Sequence, residues 1–259
     1  MDLGIAGRRA LVLGASRGLG AAVTNALAQE GVTVLAGSRS ARSDGASSLP
    51  EEVRALVRPI AVDVSNRAAL TATIAAILGQ GPIDILVNNS GGPPPGPVRA
   101  VEAQVWEQHF AAMAANLFEA TRLILPGMIE RRWGRIITIA SSGVEQPIPN
   151  LGISNAVRAA IVGWSKTLSN EVASDGITVN VVLPGRIHTQ RVDELDAAAA
   201  ARSKQTMQAV ATASRASIPA GRYGTAEEFA SVVAFLGSER ASYVTGSRVR
   251  VDGGAIRSI

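Results

Sequence analysis

The sequence lacks cysteine and is poor in other reactive side chains: of its 259 residues two are histidine, two are tyrosine, and all but two of the 25 basic residues are arginine. Without cysteine there is no disulfide, no thiolate nucleophile and no thiolate-bound zinc or iron–sulfur cluster. His109 and His188 are too few for a histidine-built metal site, and no carboxylates fall at calcium-loop spacing, so no metal centre is expected. The net charge of +4 is scattered, with no basic block interleaved with aromatics, which argues against a nucleic-acid partner. No apolar run reaches membrane-spanning length, and Arg8 and Arg9 follow too few apolar residues for a secretory leader. A cytoplasmic protein with no membrane partner is the expectation.

What is present is a rhythm of short apolar, β-branched runs separated by longer Ala-rich stretches. Seven runs read as fully buried strands: residues 10–13, 32–36, 60–64, 83–88, 135–140, 178–183 and 248–251. Helix patterns lie between them at 19–29, 67–78, 102–131, 155–174 and 225–236, with a short one at 50–57. Alternating strands and helices predict a single doubly wound α/β domain over residues 1–259, its seven-stranded parallel sheet flanked by helices on both faces. The segment from Asp193 to Ser217, rich in Ala, Ser and Thr, reads either as a mobile substrate-side flap or as a solvated surface helix. Gly92-Pro93-Pro94-Pro95-Gly96-Pro97 reads as a stiff loop after the fourth strand, because each proline fixes φ.

Gly14-Ala15-Ser16-Arg17-Gly18-Leu19-Gly20 follows directly on the first apolar run and opens a helix. Glycines there let the chain turn sharply and bring backbone N–H groups close to a pyrophosphate at the helix N-terminus. The same letters fit a hydrolase nucleophile elbow with Ser16 as nucleophile, a reading that needs a histidine and an acid nearby.

Five separated motifs occur in order: Gly14 to Gly20; Val62-Asp63-Val64; Asn88-Asn89-Ser90-Gly91; Gly134 to Ser142; and Val181 to Thr189. With the tail motifs Tyr243 to Gly246 and Val251 to Gly254, the chain resembles the short-chain dehydrogenase/reductase family over essentially its full length. The likeness is strongest to the β-ketoacyl carrier-protein reductase branch. The resemblance implies a Rossmann domain that binds NAD(P). Gly14, Ser16, Gly18, Leu19 and Gly20 would hold the phosphates, Asp63 and Val64 would meet the adenine, and Asn89 and Gly91 would line the adenosine side. Pro184, Gly185, Ile187 and Thr189 would face the nicotinamide carboxamide. An NAD-type site wants an acid at the end of the second strand; this chain has Gly37-Ser38-Arg39-Ser40, and Arg39 with Arg17 would attract a 2′-phosphate. NADP(H) is therefore expected over NAD(H).

The catalytic pattern departs from the family. Ser141 stands at the fifth-strand serine, with Ser142 the alternative should the register slip, and Asn116 matches the asparagine that kinks the long helix and holds a relay water. Where the family has a proton-donating Tyr and, four residues on, a Lys, this chain has Ser154 and Arg158. The chain thus resembles a divergent subgroup with this Ser and Arg pair. An alcohol is a weaker acid than a phenol and one ring shorter, while arginine keeps the charge but takes no part in proton relay. Ser154 also reads as an N-cap for the helix that follows. His188, in the Pro-Gly loop, is a candidate second acid or an exposed loop residue. Tyr223 and Tyr243 read as packing residues.

Two functions stay open: an oxidoreductase acting on a carbonyl/alcohol pair with an atypical proton donor, 3-oxoacyl carrier-protein reductase-like, or a weakly active or inactive nucleotide-binding protein of the same fold. A serine hydrolase on Ser16 is the more remote third. Family members associate as homodimers or homotetramers through the two long helices, and the resemblance implies the same here.

Overall fold

A computed structural model describes residues 1–41 and 44–258. Seven strands, β1 (Arg9–Leu13), β2 (Thr33–Ser38), β3 (Val57–Ala61), β4 (Ile85–Asn88), β5 (Gly134–Ile139), β6 (Ile177–Pro184) and β7 (Arg248–Val251), form one parallel sheet in the order β3-β2-β1-β4-β5-β6-β7. The order reverses between β1 and β4, so the crest above their carboxyl ends is the crevice where open α/β sheets take ligands. Along the central strands alternate residues feed opposite layers. Val12, Val34, Val87 and Ile137 pack on one face with Val23 and Leu27 of α1 (Gly18–Gln29) and Phe229 and Val233 of α9 (Ala226–Leu236). Leu11, Leu35, Leu86 and Ile136 pack on the other with Leu70 and Ile74 of α3 (Arg67–Leu78), Ile124 of α5 (Asn116–Glu130) and Leu168 of α6 (Gly152–Val172). This two-faced burial is what a strand pleat of period two produces when helices cover both sides.

The edges depart from the fully buried reading. β3 lies three residues earlier than expected and buries only Val57, and β7 is only half-buried. Pro59 fits an edge strand because no further strand needs its missing N–H. The shift moves Val62-Asp63-Val64 off the strand and onto the crest loop. The short helix after β2 shrinks to α2 (Glu51–Arg54), because Val57 is drawn into the sheet opposite Val34.

The long helix expected over 102–131 is three pieces: α4 (Ala103–Phe110), a π turn over Ala111–Ala115, and α5. The segment expected as a mobile flap or a single surface helix is two helices, α7 (Gln190–Ser203) and α8 (Met207–Ala216). Only Val192, Asp196 and Ala200 of α7 are buried and none of α8, in line with its lack of large apolar residues. No helix among the described residues is long and apolar enough to cross a membrane.

Candidate active site

The β1–α1 turn is built around close backbone contacts. Gly14 and Gly18 both have positive φ, +65° and +57°, and a Cβ on Gly20 would fall 2.1 Å from the Gly14 carbonyl oxygen. Ala15 N–H donates to Gly37 O at 2.9 Å, and Asn89 Nδ2 donates to Gly14 O at 3.2 Å, so β2 and the β4 loop clamp the turn. Arg17, extended at the N-cap of α1, offers no side-chain cap, and the first turn contains no acid. The leading amides of a twelve-residue helix are thus left for an anion. Thr189 lies against the turn, its Cγ2 3.6 Å from where a Gly18 Cβ would be. Gly185 lets the β6 end pass against Asp252, where a Cβ would come within 2.6 Å, while Pro184 ends the strand. Ile187 turns its side chain into the core, so backbone is what it presents to the crevice.

On the adenosine side Asp63 accepts from Ser65 N–H at 2.9 Å and Ser65 Oγ at 2.7 Å. Those hydrogen bonds, with a smaller pull from Arg39, hold its carboxyl below the usual range. Val64 lends its carbonyl to Asn116, and Gly91 opens onto empty space. Arg39 is exposed at the β2 crest, but Arg17 reaches across to Gln190 Oε1, so the two arginines do not act as a joint clamp here. Ser16 has no histidine or acid partner among the described residues, leaving an elbow nucleophile without its base.

At the end of β5, Ser141 caps a short turn. Its Oγ accepts from Gly143 N–H at 3.0 Å, which leaves the hydroxyl proton free to be given to a substrate oxygen. α6 begins at Gly152 behind Leu151, earlier than expected, so Ser154 is not the N-cap but a first-turn residue, 7% exposed and without a side-chain hydrogen bond. One turn on, on the same stripe, Arg158 is 8% exposed and donates from Nη1 to Ile139 O at 2.8 Å. Burial first, and the charge of Arg191 second, push its guanidinium down to about 10, still a cation at neutral pH.

Both polar atoms of the Asn116 side chain have a protein partner: Nδ2 donates to Val64 O at 2.8 Å, and Oδ1 accepts from Arg67 Nε at 3.0 Å, which holds the side chain between the β3 crest loop and α3. The π turn that precedes it ends the regular pairing of α4 just before Asn116. His188 is exposed, its Nε2 3.8 Å from Asp193 Oδ1 on the outside of α7.

Several site residues carry no sequence pattern that singles them out. Ser90 is buried at the β4 crest, and its Oγ has no partner. Arg191, on the first turn of α7, donates from Nη2 to Pro93 O at 2.9 Å. Asp196, also on α7 and 3% exposed, takes Arg186 Nη1 at 2.8 Å on one oxygen and Tyr223 Oη at 2.7 Å on the other. Tyr223 is therefore more than packing: it fastens α7 to the segment before α9, while Arg186 fastens the same carboxylate to the Pro-Gly loop. Burial, helped by the Asp196 carboxylate, raises its phenol above the ordinary value and keeps it a donor. Asp196→Ala should cost about 3–5 kcal/mol in denaturant unfolding, the worth of two hydrogen bonds to a buried charge.

A doubly wound sheet, an uncapped helix N-terminus at its switch point and a hydroxyl donor at the β5 crest define a nucleotide-dependent oxidoreductase type of site. Residues 14–255 match the family described as enoyl-(acyl carrier protein) reductase. The chain is 35% identical over 255 residues to the 3-oxoacyl-[acyl-carrier-protein] reductase FabG of Vibrio cholerae, covering 97% of this chain and 98% of that one. It is 36% identical to the Escherichia coli FabG over 251 residues, 96% and 97% of the two chains. Among solved structures it superimposes on L-sorbose reductase from Gluconobacter frateurii, complexed with NADPH and L-sorbose, with TM-score 0.92, 31% identity and full coverage of both chains. YwfH, an NADPH-dependent reductase involved in bacilysin biosynthesis, gives TM-score 0.89 and 31% identity over 97% and 99% of the chains. The chain belongs to the short-chain dehydrogenase/reductase family, and its relatives there are NAD(P)H-dependent reductases related to FabG.

Proposed function

We propose that this chain is a cytoplasmic NADP(H)-dependent oxidoreductase that interconverts a small-molecule carbonyl and its alcohol, with β-ketoacyl thioesters the substrate class its relatives name. The observation that carries the reading is the glycine turn at the switch point of the sheet, where the α1 N-terminus has no side-chain cap and Thr189 lies against Gly18, together with the Ser141 hydroxyl proton left free at the β5 crest. The residues fit a dinucleotide: backbone N–H groups of residues 18–20 for the pyrophosphate, Asp63 and Gly91 around the adenosine, Arg39 for a 2′-phosphate, and the partnerless Ser90 hydroxyl inside the crest. The coenzyme supplies a hydride when bound. Ser141 donates its hydroxyl proton as a hydrogen bond to the carbonyl oxygen, and Arg158 sets a fixed positive charge under the place where negative charge develops. Ser154 cannot reach that oxygen as a phenol would, so the proton comes from solvent and turnover is slow. Ser141→Ala should lower NADPH consumption on a panel of ketones, quinones and β-ketoacyl thioesters by about 10- to 100-fold, the worth of one hydrogen bond to a charged group. If wild type and variant consume NADPH equally, the reading fails.

The second reading, a binding protein of the same fold without turnover, is favoured by one observation: the Ser154 hydroxyl has no hydrogen-bond partner where an acid would stand. NADPH uptake without consumption on the whole panel would establish it. Preference for the phosphorylated coenzyme rests on Arg39. Arg39→Glu should weaken NADPH at least about tenfold, or 1.4 kcal/mol, and leave NADH little changed. Assembly as a homodimer or homotetramer through α5 and α6 is part of the proposal; the Phe118–Trp164 stack, with ring centroids 4.2 Å apart, joins those helices.

A further inference from the structure

Between α6 and the β6–β7 edge of the sheet lies a cavity of about 320 Å³, away from the groups assigned to the coenzyme and the carbonyl. It is apolar on one side, where Val179 and Val181, alternate residues of β6, pack toward α6 with Val162 of that helix. It is cationic on the other, from Lys166 of α6 and Arg248 of β7. Lys166 has no acid within ion-pair distance among the described residues, and its ammonium lies across Gly246, where a Cβ would come within 2.6 Å of Nζ. Only a glycine, here at φ +68°, admits it. Arg248 is loosely held, its Nη1 3.7 Å from Glu145 Oε1, while Arg250 gives that carboxylate a closer partner on its other oxygen. Glu145 is thus neutralised without Arg248.

Ser165 also lines the cavity, 2% exposed, and its Oγ has no hydrogen-bond partner. Its neighbours on the helix turn their hydroxyls back on the backbone: Thr167 Oγ1 donates to Gly163 O at 3.2 Å, and Ser169 Oγ to Lys166 O at 2.7 Å. A buried hydroxyl left unpaired is destabilising, and a ligand that pairs it removes the cost. The coenzyme cannot be that ligand. Its cradle is at the end of β1, three strands from β6 in the order β1-β4-β5-β6, or about 14 Å at ordinary strand spacing. Along α6 the cavity is equally remote from the chemistry, since Ser154 and Ser165 are about 16 Å apart at the ordinary helical rise.

We propose that this cavity is a second ligand site, for a small amphiphilic anion: a carboxylate or phosphate head on a short hydrocarbon tail. Lys166, Arg248 and the Ser165 hydroxyl take the head by charge-assisted hydrogen bonds, and Val162, Val179 and Val181 bury the tail. A volume at the small end of ligand pockets suits a short chain rather than a dinucleotide. The site is independent of the oxidoreductase reading.

Calorimetry on the full chain tests this with hexanoate and hexyl phosphate, against 1-hexanol and inorganic phosphate, which carry only the tail or only a head. At least one amphiphile should bind, one per chain, ten or more times more tightly than either half-probe, and the tighter of the two identifies the head. Lys166→Gln and Ser165→Val should each weaken it by about tenfold, the worth of one hydrogen bond to a charged group. Ser165→Val removes a hydroxyl that no protein group uses, so its denaturant midpoint should not fall; if it does, the exposed Lys166→Gln decides alone. Millimolar NADP⁺ should leave the affinity unchanged. The inference is overturned if neither amphiphile outbinds both half-probes, if the deciding variants bind like wild type, or if NADP⁺ displaces the anion, which would put it in the coenzyme crevice.

Discussion

Ser154→Tyr combined with Arg158→Lys should raise carbonyl reduction by about 10²-fold or more, the usual worth of a positioned general acid. Ser154 and Arg158 lie one turn apart on one stripe of α6, and Arg158 already reaches the crest at Ile139 O. A side chain at 154 projects from the same stripe, tilted toward the helix N-terminus. A phenol there gains the length that serine lacks, and a lysine ammonium beside it lowers its pKa from about 10 toward the working range. The apolar residues Ile153, Val157 and Ile161 occupy a different stripe and hold the helix in place, so the exchange leaves its packing intact. The rise appears in kcat for the reduction of neutral ketones. A double variant that takes up NADPH like wild type and gains no rate would show that the pocket has diverged beyond its proton donor.

Gly20→Ala should cripple coenzyme uptake, with a loss of at least about 10²-fold in NADPH affinity. The added Cβ would stand 2.1 Å from Gly14 O, and that carbonyl is also held by Asn89. Backbone at both ends of the clash leaves no flexible side chain to yield. The turn must open, and two or more charge-assisted N–H contacts to the pyrophosphate are lost at ~1.5–3 kcal/mol each. Overpacking of this kind also costs about 1–3 kcal/mol of stability, which a denaturant midpoint will register. Gly91→Ala is the control. Its Cβ meets nothing within 4 Å, so fold stability should be unchanged.

Most of the sheet was legible because its central strands are buried on both faces and read as continuous apolar runs. The edges were not: β3 includes Arg58 and Pro59, which obscure a strand whose register is set by pairing with β2 rather than by its own apolar content. The glycine turn was legible because only glycine meets its backbone demands. The π turn before Asn116 was not, since nothing in Ala111–Ala115 marks an extra residue per turn. The reading of Ser154 and Arg158 as the family's Tyr and Lys positions rests on position in the sequence, and their placement one turn apart on α6 is in keeping with it. The hydrogen bond from Arg191 to Pro93 O could not be read, because the two residues are 98 apart and no local pattern links them. The Asp196 latch was hidden for the same reason, its three residues being scattered over 186–223.

The central claim is that the crest of the sheet between the α1 amides and Ser141 takes up a phosphorylated dinucleotide. Titration of the protein with NADPH and, separately, NADH in a calorimeter tests it most directly. The account predicts one NADPH per chain, bound at least tenfold more tightly than NADH. No heat from either coenzyme at millimolar concentration would contradict it.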